Sequence, residues 1–153
     1  DANAVHVNAA NEITAITEKT TVANIDEFII EDSGASFVKK SIKRKAIINP
    51  ISLTTASTAT LTVNSDVNDF VVVTAQASAL TIAAPTGTPV EGQKLIIRLK
   101  DNGSARGITF NAIFRAIGIT IPTTTVASKI TYLGLVYNST DTKWDVIATK
   151  TEA

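Results

Sequence analysis

The chain predicts an all-β protein, and three observations carry that reading. Thr, Val and Ile dominate its 153 residues, and these β-branched side chains suit a pleated surface while losing rotamer freedom in a helix. No segment keeps apolar residues at i, i+3, i+4 and i+7 between recognisable caps. From Pro50 onward, short runs of strand formers recur at fairly even spacing with turn residues between them.

Charge marks where the chain changes character. Residues 1–32 hold seven acids and one lysine, whereas residues 33–48 hold Lys39, Lys40, Lys43, Arg44 and Lys45 and no acid. Within this stretch Glu27–Asp32 and Phe37–Lys43 flank Ser33-Gly34-Ala35-Ser36. The pattern predicts a hairpin with acids on one strand and bases on the other, an arrangement that cross-strand attraction favours by about 0.2–1 kcal/mol per pair. Asn49-Pro50 then breaks the run, because proline pushes its predecessor out of the helical region. Residues 1–48 are therefore expected to form an N-terminal arm and residues 49–153 a β-sandwich of jelly-roll type. An arm so poor in large apolar side chains has little core of its own, so identical arms are expected to intertwine about a symmetry axis in a homotrimer.

Beyond Pro50 the expected strands are Ile51–Thr55, Thr60–Val63, Phe70–Thr74, Leu80–Ala83, Lys94–Lys100, Ile108–Phe110, Ile117–Ile121, Ile130–Tyr137 and Trp144–Thr149. Turn chemistry at Pro85-Thr86-Gly87, Pro89 to Gly92, Pro122 and Asn138 to Asp141 separates them. Asp101-Asn102-Gly103 has the composition of a tight hairpin turn. Leu95, Ile97 and Leu99 alternate with Ile96, Arg98 and Lys100, which predicts one buried face and one mixed face. Ile130–Tyr137 is apolar on both faces, so something must cover each: a second sheet, a neighbouring subunit, or both.

Composition excludes several classes. The chain has no cysteine, which removes disulfides and thiolate metal sites, and its balanced charge of 14 bases against 14 acids argues against a nucleic-acid coat. No apolar run is long enough to span a membrane, and no secretory leader is visible at Asp1 to Asn11. The absence of methionine suggests a piece of a longer polypeptide. His6 is the only histidine and lies in the arm, far in sequence from any nucleophile candidate. Its remaining chemical option is a metal held by three copies on a trimer axis, although a solvated histidine is the ordinary case.

Other constellations are weak. Gly87 to Lys94 imitates a phosphate loop, but Gln93 is inserted and a strand follows where a helix is needed. Asp66 and Asp69, or Glu31 and Asp32, are carboxylate pairs of the kind glycoside hydrolysis uses, yet acids in turns are usually solvated. The Lys39–Lys45 run has Phe37 as its only aromatic, so pairing with the acidic strand suits it better than binding single strands. Trp144 and Tyr132 read as packing residues. The chain is read as a non-enzyme with no cofactor and no metal of its own.

Three stretches resemble phage tail-fibre and related virion proteins: Val5-His6 with Glu12-Ile13-Thr14 and Lys19-Thr20; Asp26–Ile30 with Asp32-Ser33 and Lys39-Lys40; and Gly92–Arg98 with Tyr132–Asn138 and Lys143–Val146. The resemblance implies a homotrimer located in the virion, an intertwined N-terminal shaft or collar that meets other virion proteins, and a C-terminal β-sandwich head. It carries no catalytic motif. The expected function is host attachment by the distal part of a tail fibre, through a surface glycan or protein, without nucleic acid and without membrane insertion. The alternatives are a capsid-decorating head fibre, the fibre of a phage-tail-like contractile particle, and a depolymerase. Expected ligand contacts are the polar and aromatic residues of exposed turns: Asp101, Asn102, Arg106, Tyr137, Asn138 and Asp141.

Overall fold

The structure, a computed structural model, describes residues 27–32, 38–43 and 50–153. The chain divides into two units, Asp1–Asn49 and Pro50–Ala153. In the first, β1 (Glu27–Asp32) pairs antiparallel with β2 (Val38–Lys43). The register sets Glu27 opposite Lys43, Glu31 opposite Lys39 and Phe28 opposite Ile42. This is the expected acid-against-base hairpin, one residue shorter on its second strand. His6, the Ser33–Ser36 turn, Arg44 and Lys45 lie outside the described residues, as do the resemblance motifs before Asp26.

The second unit is all-β. Its strands are β3 (Ser52–Thr55), β4 (Thr60–Leu61), β5 (Phe70–Gln76), β6 (Leu80–Ile82), β7 (Lys94–Asp101), β8 (Ile108–Phe110), β9 (Phe114–Ala116), β10 (Ile130–Asn138) and β11 (Lys143–Thr151). A six-stranded sheet runs β3-β5-β7-β10-β11-β9 and a three-stranded sheet runs β4-β6-β8. Their inward side chains, among them Leu61, Val71, Ile82, Ile97, Leu133 and Trp144, form one buried core. Eight of the nine expected strands appear, most within one or two residues of the expected ends.

The pairing differs from the antiparallel connectivity of a jelly-roll. β3, β5 and β7 are mutually parallel, and so are β4, β6 and β8. Three stacked coils result, each with a strand in the large sheet, a corner, and a short strand in the small sheet. Leu53, Val71 and Ile97 fall in register across the first sheet, and Leu61, Ile82 and Phe110 across the second. Each coil thus adds one inward apolar residue per layer to the same column. Within this unit the pairing turns antiparallel only after β8, with β10 antiparallel to both β7 and β11.

Two local expectations change for stated reasons. Asp101-Asn102-Gly103 is a turn, with Gly103 at a φ of 120°, but β7 and β8 on either side belong to different sheets, so it is a corner and not a hairpin. Ile117–Ile121 is not a strand: Gly118 takes a φ of 66° and ends the ladder that β9 makes with β11. Ile119 and Ile121 still cover the core, from a loop, while Ile117 is exposed.

The expected alternation on β7 is present: Leu95, Ile97 and Leu99 are buried, while Ile96, Arg98 and Lys100 line the outward face. On β10, Thr131, Leu133, Leu135 and Tyr137 point inward. Its other apolar face, with Tyr132 and Val136, has no second layer among the described residues of this unit.

Candidate functional site

The six residues expected to contact a ligand fall into two groups at opposite ends of the large sheet. Asp101 ends β7 and Asn102 and Arg106 follow it, whereas Tyr137, Asn138 and Asp141 lie at the end of β10, near Lys94. Seven strand steps at about 3.3 Å separate those ends by roughly 23 Å, so the six do not make one site.

Asp101 is a structural hub. Only 2% exposed, it accepts hydrogen bonds from the Thr125 hydroxyl at 2.6 Å and from the backbone N–H groups of Gly103 and Ser128 at 2.7 and 3.1 Å. Thr125 in turn accepts the Arg106 N–H at 2.7 Å. Burial pushes the Asp101 carboxyl up, but these hydrogen bonds together with Arg106 outweigh it and hold the group below its ordinary value. A carboxylate with a depressed folded-state pKa contributes stability above the unfolded value, and that stability is lost as pH falls through the folded one. The melting temperature is therefore expected to drop on acidification from about pH 4 downward. Asp101→Asn should be less stable at neutral pH and show a shallower acid drop in a melting series; an acid profile identical to wild type would remove Asp101 from that role. Asn102 remains exposed, its N–H bound to the Gln76 carbonyl.

Tyr137 is buried, 7% exposed, with its ring 5.2 Å from Trp144. Its place before a turn suggested the surface, but the inward phase of β10 decides otherwise. Asn138 and Asp141 do come together. The Asn138 side-chain oxygen accepts the Asp141 N–H and the side-chain amide donates to the Asp141 carboxylate at 3.3 Å, closing the β10–β11 turn in which Thr142 takes a φ of 56°. Arg115 of β9 completes the cluster: its Nε and Nη2 donate to Asp145 at 2.8 and 3.1 Å, and Nη1 donates to Asp141 at 2.8 Å. The Arg115 guanidinium holds the Asp145 carboxyl below its ordinary value. Glu91 accepts both the N–H and hydroxyl of Ser139 at 2.6 Å, which lowers its carboxyl too.

Beside this cluster lies a cleft of about 340 Å³ lined by two turns, Ser65–Asp69 and Gly92–Lys94, together with Ile51. The first turn follows the first coil. Asn64 shapes it by accepting the Asp66 N–H on its side chain at 3.0 Å and the Asn68 N–H on its carbonyl at 2.9 Å. The second turn follows the second coil. Gln93 ties the two together: its amide donates to the Ser65 carbonyl at 2.6 Å and its side-chain oxygen accepts the Val90 N–H. Asp66 accepts the Thr88 N–H at 2.7 Å and packs on Gly87, where a Cβ would meet the carboxyl carbon at 2.7 Å. Gly87 also sits at a φ of 92°, so no larger residue fits without moving Asp66.

The cleft gathers two constellations that the sequence offers separately, the Asp66 and Asp69 carboxylates and the end of the Gly87–Lys94 segment. A phosphate loop needs free backbone N–H groups. Here the N–H of Thr88 serves Asp66, that of Val90 serves Gln93, and that of Gly92 serves the Tyr137 carbonyl, so this loop closes on itself. Asp66 is likewise engaged as a loop brace. Among the described residues, Asn68, Asp69 and Lys94 extend into the cleft without a side-chain hydrogen-bond partner, giving amide, carboxylate and ammonium groups beside Ile51 and Val67, which are 56% and 50% exposed. Among the described residues no three His, Asp or Glu side chains converge as metal ligands. The cleft thus offers hydrogen-bond donors and acceptors next to small apolar patches. Sequence reasoning misses it because its two walls are 20 or more residues apart and meet only through stacking of the coils. Comparison of the chain with protein-family models, with curated proteins and with solved structures returns no match in any of the three.

Proposed function

We propose that this chain is a virion structural protein, the distal part of a homotrimeric phage tail fibre, and that it attaches to a host-surface glycan. In this reading residues 1–48 intertwine with those of other copies and meet other virion proteins, and the coiled β unit is the displayed head. The observation that supports attachment is the cleft between the Ser65–Asp69 and Gly92–Lys94 turns, where Asn68, Asp69 and Lys94 offer hydrogen bonds next to exposed Ile51 and Val67. One shallow cleft binds a sugar weakly. Three on one shaft act at high effective concentration, and such avidity exceeds single-site affinity by about 10²–10⁴.

The test is adsorption of the intact protein to host cells and to a glycan array. Asp69→Ala and Asn68→Ala each remove hydrogen bonds worth about 1 kcal/mol, or roughly fivefold per head, compounded across heads. Adsorption is expected to fall at least tenfold while the circular dichroism spectrum stays unchanged. Wild-type binding that both variants retain in full would remove the cleft from attachment. Release of reducing sugar from host polysaccharide would replace adhesion with depolymerisation. Location of a labelled chain on the capsid shell would favour the head-fibre alternative.

A further inference from the structure

The outward face of the six-stranded sheet carries a continuous apolar row. Phe70, Ile96, Gly134 and Ala148 fall in register across β5, β7, β10 and β11, with Tyr132 and Val136 on the flanking rows. Ile96 is 40% exposed and Tyr132 43%. Between Gly134 and Leu135 the β10–β11 register slips by one residue, so Ile147 has no partner across the ladder and stands 50% exposed. A bulge of this kind re-aims a side chain. Gly134 and Ala148, small and adjacent, leave a trough of about 200 Å³ between Ile96, Val136 and Ile147.

We propose that this face is the interface with further copies of the chain, the outward sheets of three copies meeting about a shared threefold axis. The inference rests on the self-association proposed above and names the surface that carries it. The six strands together hold 40 residues, which at about 4.8 Å by 3.3 Å each cover roughly 630 Å², somewhat below the ~800 Å² per partner of a stable protein interface. The trough is smaller than the ~300 Å³ at which small-molecule sites begin, but it accepts a protruding isoleucine. Two of the bases on this face are already countered: Arg98 lies 5.9 Å over the Phe70 ring, and Lys100 is 3.8 Å from Glu152. Lys94 and Lys150 stand on the rows that flank Ile96, Gly134 and Ala148, so the apolar row between them is what a like surface can cover.

The test is the mass of the full chain by light scattering. Wild type is expected at three times the 16.1 kDa of one chain. Ile96→Lys and Ile147→Lys, both at solvent-reached positions, are expected to weaken association at least tenfold with circular dichroism unchanged. Val126→Lys, equally exposed at 48% but in the loop before β10, should leave the mass intact. A second reading needs no variant: of the two tyrosines, Tyr137 is buried, so nitration of wild type reports on Tyr132, which is expected to be protected in the assembly and reactive on dilution. A multimer that both lysine variants preserve, with Tyr132 freely nitrated, would overturn this surface while leaving self-association standing. A wild type that is a single copy would overturn both. Capture of single copies by anionic vesicles, lost in Ile96→Lys, would assign the face to a membrane surface instead.

Discussion

Replacing Trp144 by alanine is expected to cost about 3–5 kcal/mol, the usual range for deleting a large buried aromatic. Trp144 is 1% exposed on β11, beside Tyr137 and within the core shared by both sheets. β11 joins the antiparallel hairpin to the parallel strand β9, so its inward side chain fills the space where the coils give way to the hairpin. For a unit of about one hundred residues this corresponds to a fall in melting temperature of roughly 15–30 °C. Among the described residues the indole N–H is buried with no hydrogen-bond partner, so Trp144→Phe forfeits packing volume and no hydrogen bond. It should retain most of the stability in urea unfolding followed by circular dichroism. A loss below about 1 kcal/mol for the alanine variant would show that the core closes without this ring.

Gln76→Leu is expected to destabilise by about 2–4 kcal/mol although leucine is similar in size and more apolar. Gln76 is fully buried at the corner between β5 and β6. Its amide donates to the carbonyls of Thr58 and Ser78, both at 2.7 Å, and its side-chain oxygen accepts the Thr58 N–H at 3.2 Å. The Thr58 groups belong to the preceding coil, so one side chain supplies the hydrogen bonds that a strand ladder would have made across the bend. Leucine strands those backbone groups away from water, and an unsatisfied buried donor or acceptor costs about 1–3 kcal/mol. Gln76→Glu keeps the shape but cannot donate while ionised, so it should be impaired near neutral pH. Equal unfolding midpoints for wild type and Gln76→Leu would mean that water reaches the corner and satisfies Thr58.

The chain holds traces of the stacked coils that the jelly-roll expectation passed over. Leu80-Thr81-Ile82 and Ile108-Thr109-Phe110 share an apolar-Thr-apolar pattern and lie in register in the small sheet. The corners Ala56-Ser57-Thr58-Ala59 and Ala77-Ser78-Ala79 lack the Asn-Gly chemistry of a tight hairpin. Those corners are a signal for parallel stacking, because a chain that does not reverse at a turn must circle back. The candidate cleft left a fainter trace. Asp66, Asp69 and Lys94 stood out by residue type, but nothing local told Asp69, free in the cleft, from Asp101, which is sealed beneath Thr125.

What the sequence by itself determined is which residues form strands and which side of each strand is greasy. Alternation with period two is a property of neighbouring residues, and Leu95, Ile97 and Leu99 point inward whatever strand lies beside them. What only the tertiary structure decided is who that neighbour is. Parallel and antiparallel ladders accept the same side chains, so the choice between a jelly-roll and stacked coils rests on contacts between residues 18 to 28 positions apart. The same long-range closure buried Asp101 and Tyr137 and brought two distant turns together as a cleft.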